Sequence, residues 1–92
     1  LLSAGPVAAQ QTASEVEYCR KLDSKAAELM DNWRYRVQEI ANDGFEDKQR
    51  RLREYYDATR YRLVEIRDDA QRNGCTGLPE AISTALRQWE RP

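Results

Sequence analysis

The tetrapeptide Asn42-Asp43-Gly44-Phe45 divides the chain into two long segments with the same periodicity, and that division limits the folds open to it. Upstream, Cys19, Leu22, Ala26, Leu29, Trp33, Val37 and Ile40 recur every three or four residues, which places them on one stripe of a helix. Downstream, Leu52, Tyr56, Thr59, Leu63, Ile66 and Ala70 alternate spacings of four and three, the a/d pattern of helices packed lengthwise at a shallow angle. A connection this short makes the two helices antiparallel neighbours. Asn42 and Gly44 suit a left-handed helix end, and Asp43 with Glu46 has the spacing of a capping box. Trp33 and Tyr56 are bulky for the seam of a two-stranded coil, which favours a globular bundle over an extended coil between chains.

The punctuation of the chain agrees with this pattern. Ser14 and Glu17 form a capping box for a first helix predicted over residues 15–42, about 42 Å long at 1.5 Å per residue. A second helix is predicted over 46–73, with Asn73-Gly74 as its left-handed stop. Cys75-Thr76-Gly77-Leu78-Pro79 then reverses the chain, with Thr76 as a cap and Pro79 in the first turn of a third helix over 78–90. Leu78, Ile82, Ala85, Leu86 and Trp89 give that helix one apolar face. The expected fold is all-α: a long antiparallel helical hairpin, a short third C-terminal helix packed back on it, and closure by one disulfide, in a single domain over residues 11–92. Glu17 with Lys21, Glu46 with Arg50 and Asp47 with Arg51 have ion-pair spacing and mark solvent-facing sides.

Ninety-two residues lie near the size at which a core alone supplies only a few kcal/mol and a covalent staple is often added. The two cysteines flank the hairpin, Cys19 early in the first helix and Cys75 just beyond the second. Counting outward from the turn sets Cys19 level with roughly residue 69, one to two helical turns short of Cys75. The reversal after Gly74 must therefore carry Cys75 back over that gap. An internal Cys19–Cys75 bridge is expected; an intermolecular bridge and reduced thiols are the alternatives.

Residues 1–10, LLSAGPVAAQ, differ in composition from the rest. An apolar run, a Gly-Pro break and small residues at Val7-Ala8-Ala9 resemble the tail of a secretory signal peptide; an ordinary apolar N-terminal arm is the alternative. With the paired cysteines, this gives a periplasmic or secreted bacterial location as the expectation.

Catalytic readings meet a shortage of parts. The chain has no histidine, so Ser-His and Cys-His nucleophile pairs cannot be assembled within it, and zinc lacks a common ligand. Its four glycines are scattered among the breaks, leaving no phosphate-cradling loop, and neighbouring carboxylates such as Asp68-Asp69 read as solvated helix faces. No catalytic, metal or cofactor-binding residue is expected, and no enzyme. Arg far outnumbers Lys and interleaves with Tyr at Arg34-Tyr35-Arg36 and Arg60-Tyr61-Arg62, a pattern that can stack on bases. Alternating acidic residues, a net charge of −1 and the export reading weigh against nucleic acid.

The surplus in the sequence is apolar surface. Ala27, Met30, Val37 and Ala41 form a second row on the first helix, and Tyr55 and Ala58 lie off the seam of the second. A third helix of about 18 Å starting at the open end reaches only partway along the hairpin. Trp33, Tyr35, Val37, Phe45, Tyr55 and Tyr61 are therefore the expected interaction residues on a partly bare closed half, with a protein partner or a second copy. The expected function is that of an accessory subunit, adaptor or inhibitor of an envelope complex. A chaperone-like client binder and a membrane-tethered element retaining its apolar N-terminus are the alternatives.

Overall fold

A computed structural model describes residues 11–44 and 46–92. The signal-peptide reading of residues 1–10 and the interaction role given to Phe45 lie outside the described residues. The described residues form three helices: α1, Ala13–Ala41; α2, Lys48–Arg72; and α3, Leu78–Gln88. The first two pair as an antiparallel hairpin, and α3 packs back on it, chiefly against α2.

The seam follows the heptads. Tyr56, Thr59, Leu63, Ile66 and Ala70 of α2 are buried against Leu22, Ala26 and Ile40 of α1 and beneath Ile82 and Leu86 of α3. Most of this apolar core lies in the open half, where three helices meet, and includes Cys75.

The helix ends differ in detail from their expected forms. The cap of α1 is Thr12, not Ser14: its hydroxyl accepts from the Glu15 amide at 3.1 Å, and its own amide donates to the Glu15 carboxylate at 2.8 Å. The S/T-x-x-E spacing is satisfied equally well two residues earlier, and Gln11 favours that register. Its side-chain amide donates to the carbonyls of Asn73 and Gly74, each at 3.0 Å, tying the entry of α1 to the exit of α2. At the hairpin turn, Asn42 is right-handed (φ −89°) and Gly44 has no positive φ. The N-cap of α2 is Asp47, without a side-chain capping bond, because Asp43 is committed elsewhere: its carboxylate lies 2.9 Å from the Arg51 guanidinium. Gly77, at φ +84°, takes the N-cap of α3 in place of Thr76. The expected Asp47–Arg51 pair is present at 3.6 Å, whereas Glu17 pairs with Arg20 and Arg50 with Asp47 and Glu54.

The end of α2 matches its expected form and resolves the cysteine register. Gly74 adopts φ +68°, its amide donates to Gln71 at 3.2 Å, and the Cys75 amide donates to the Ala70 carbonyl at 2.9 Å. This is the full Schellman arrangement, and it returns the chain over the last turn of the helix it ends. Cys75 is thereby drawn level with Ala70, which is where Cys19 stands across the seam. The two are bridged, with Cα atoms 5.5 Å apart.

With 56 residues separating the cysteines, the bridge removes about 4 kcal/mol of loop entropy from the unfolded chain in the chain-entropy model. Cys19→Ser combined with Cys75→Ser is expected to lower unfolding free energy by about that amount, measured by urea titration followed by circular dichroism. A loss below about 1 kcal/mol would mean that the Schellman turn and core hold the open end without the bridge.

Candidate interaction surface

The aromatic residues that the sequence places near the turn separate into an interior set and an exterior set. Trp33 projects from α1 into the seam, where Tyr55 stacks on it at 5.5 Å between ring centres and Tyr56 meets it edge-on at 5.7 Å. Trp89, one residue past the end of α3, closes the remaining side: its ring lies 4.9 Å from Trp33 and 4.5 Å from Tyr56. The Tyr56 hydroxyl donates to the Trp89 carbonyl at 2.9 Å, and the Arg60 guanidinium donates at 3.3 Å to the Leu86 carbonyl, which also accepts from the Trp89 amide, so two carbonyls at the end of α3 are tied to α2. Arg91 then grips Asp57 with two bonds of 3.0 and 2.9 Å. The Arg36 guanidinium lies over the outer face of Tyr55 at 5.8 Å.

The third element therefore reaches farther than expected. Because Cys75 is drawn back by a turn, α3 starts nearer the closed end, and the extended backbone at Trp89 (φ −93°, ψ 111°) adds an indole to its reach. Trp33 is covered by Trp89, and Tyr55 is half-buried against Trp33. Val37 is half-buried, and Ile40, at 4% exposure, is core.

Tyr35 and Tyr61 stand apart from this cluster, 65% and 66% exposed. At 100° per residue, Tyr35 points about 160° away from Trp33 on α1, and Tyr61 about 120° away from Tyr55 on α2. Tyr61 lines a shallow recess with Asp57, Arg60 and Val64 beside the end of α3. The six residues expected to share one patch thus do not: Trp33 and Tyr55 build the interior, Tyr35 and Tyr61 occupy separate outer faces, Val37 borders the seam, and Phe45 is not among the described residues.

Two further surface features lie outside the expected patch. On one side of the hairpin, a polar recess of about 300 Å³ runs between Tyr18, Lys25, Arg62, Glu65, Asp69 and Arg72. There the Tyr18 hydroxyl donates to the Asp69 carboxylate, a bond that raises the phenol's pKa, since the neutral phenol is the donor. On the other side, an apolar groove of about 170 Å³ separates α1 from α3, walled by Ala26, Ala27 and Met30 against Leu78, Ala81 and Ala85. The three-residue spacing of Ala27 and Met30 marks one wall and the four-residue spacing of Ala81 and Ala85 the other, each about one helical turn. Among the described residues, no His, Cys, Asp and Glu side chains gather in a metal-binding group, and no helix is long and apolar enough to cross a membrane.

Two expectations follow for the Trp89 closure. Trp89→Ala is expected to cost about 2 to 3 kcal/mol in chemical denaturation, below a fully buried Trp because one side of the indole is exposed. Bonds from Arg91 hold the Asp57 carboxyl below its ordinary range. A folded pKa below the unfolded one gives a contribution present above about pH 3.9 and lost as the pH falls through the lower folded value. Both tryptophans belong to the cluster, so their fluorescence should shift in that acid window, and Asp57→Asn should remove the shift.

No protein-family model, curated protein or solved structure matches this chain.

Proposed function

We propose that this chain is a small exported helical protein of the bacterial periplasm that works by protein-protein contact, as an accessory subunit, adaptor or inhibitor of an envelope complex. The observation that carries the reading is the pair of outward tyrosines, Tyr35 and Tyr61, two-thirds exposed while the neighbouring aromatic residues are consumed by the Trp33 cluster. Exposed Tyr next to Arg is the composition of interface hot spots, and both tyrosines stand on helices that need no ordering when a partner arrives. The Cys19–Cys75 bridge supports an oxidising compartment, where such bonds persist.

The experiment has two arms in the native host. Cell fractionation with thiol alkylation should find the protein in the periplasm with both cysteines inert until reductant is added; recovery from the cytoplasm with reactive thiols overturns the export reading. A photocrosslinking amino acid replacing Tyr35 or Tyr61 should capture one stoichiometric protein, identified by mass spectrometry. Many substoichiometric adducts would instead favour a chaperone-like client binder, and no adduct from either position would remove the tyrosines as an interface.

A further inference from the structure

The groove between α1 and α3 is apolar, narrow and walled in large part by alanine, so another helix can approach its backbone closely. Its α1 wall continues as a single stripe: Asp23, Ala27 and Met30 line the groove, and Arg34 follows one turn on. At 100° per residue these four, with Val16 and Ala41 at the ends, fall within an arc of about 60°. None of the four is buried, and Val16 is 42% exposed despite being apolar.

The order of this stripe is self-complementary in one direction only. Around a two-fold axis passing between Ala27 and Met30, an antiparallel copy of α1 sets Ala27 against Met30, Asp23 against Arg34 and Val16 against Ala41. Each match occurs twice, as an isologous contact requires. A parallel copy in register would set Asp23 against Asp23 and Arg34 against Arg34, which repels. Arg34 is engaged with Asp31 at 3.1 Å, but both side chains are more than 70% exposed, and a solvated pair of this kind exchanges partners at little cost.

From this matching we infer that the groove is occupied by a second copy of this chain. The α1 helix of each copy lies in the α1–α3 groove of the other, antiparallel, about a two-fold axis between Ala27 and Met30. The contact buries the second apolar row of α1 and the Ala81/Ala85 wall of α3 together in a four-helix layer. It leaves Tyr35 about 110° around α1 from the stripe, so self-association and partner contact through the tyrosines use different faces.

Charge reversal on the full oxidised chain tests the axis directly, read by sedimentation equilibrium. The parent protein should reach twice its chain mass. D23R and R34D should each weaken association by about tenfold or more, because symmetry turns two attractions into two repulsions. The double variant D23R/R34D should regain association to within about threefold of the parent, because both pairs are restored with opposite polarity. Circular dichroism melts keep folding out of the comparison, since both positions are exposed. A parent chain that stays monomeric to about 1 mM, single variants that associate like the parent, or a double variant weaker than either single one overturns the inference. None of these outcomes bears on crosslinks from Tyr35 or Tyr61, so the two proposals fail separately.

Discussion

The rest of the molecule depends on how the chain turns at the end of α2. Gly74 in the left-handed region lets the Cys75 amide reach back to the Ala70 carbonyl, and that bond alone removes the mismatch between the two cysteines along the hairpin. An L-residue with a side chain at this φ is strained, so glycine is needed at this position for a conformational reason. Once Cys75 lies beside Cys19, the disulfide links the start of the first helix to the end of the second. Gln11 adds a second tie at the same point by capping the carbonyls of Asn73 and Gly74. The same turn fixes where α3 begins, and so how far down the hairpin it extends.

That reach determines the fate of the aromatic residues. A third helix starting one turn later would leave Trp33 and Tyr56 open on the side where Trp89 now sits. With Cys75 drawn back, Trp89 arrives level with both rings, and Tyr56, Arg60 and Asp57 each hold the end of α3 through a different atom. The third element is thus fixed covalently at its start and by aromatic packing and hydrogen bonds at its finish. Its middle, facing α1, is left lined by alanine and open as a groove. The opening follows from short side chains: with both ends of α3 held mainly on α2, Ala81 and Ala85 do not fill the space toward α1.

What the sequence discloses is set by whether a signal is periodic or relational. The seam is legible because Leu22, Ala26, Tyr56, Leu63, Ile66 and Ala70 announce their common face by spacing alone, although Leu29, Val37 and Leu52 of the same stripes are only half-buried. The bridge was legible as a pairing, although its register had to wait for the Schellman turn. Caps are less legible, since Thr12 and Ser14 both precede a glutamate by three residues and only the contact of Gln11 with the far helix separates them. At the hairpin turn, Asp43 has a better use in the ion pair with Arg51 than as a cap, a preference that no local spacing reveals. The interaction residues were the least legible, because exposure of Trp33 and Tyr55 depends on Trp89, more than 30 residues away in sequence.

The two Arg-Tyr-Arg triplets show why local composition misled and what the fold makes of it. Consecutive residues of a helix project 100° apart, so a triplet that reads as one basic aromatic patch is distributed over three directions. In α1, Arg36 lies over the outer face of Tyr55, Tyr35 points to solvent, and Arg34 follows one turn after Met30 of the apolar groove. In α2, Arg60 reaches the last turn of α3, Tyr61 points to solvent, and Arg62 faces the polar recess with Lys25 and Glu65. In each helix one arginine serves the fold, one borders a surface feature, and the tyrosine between them is left free. Each tyrosine stands on a helix already packed in the hairpin. A ring with two rotatable bonds on such a support loses little entropy when it is covered.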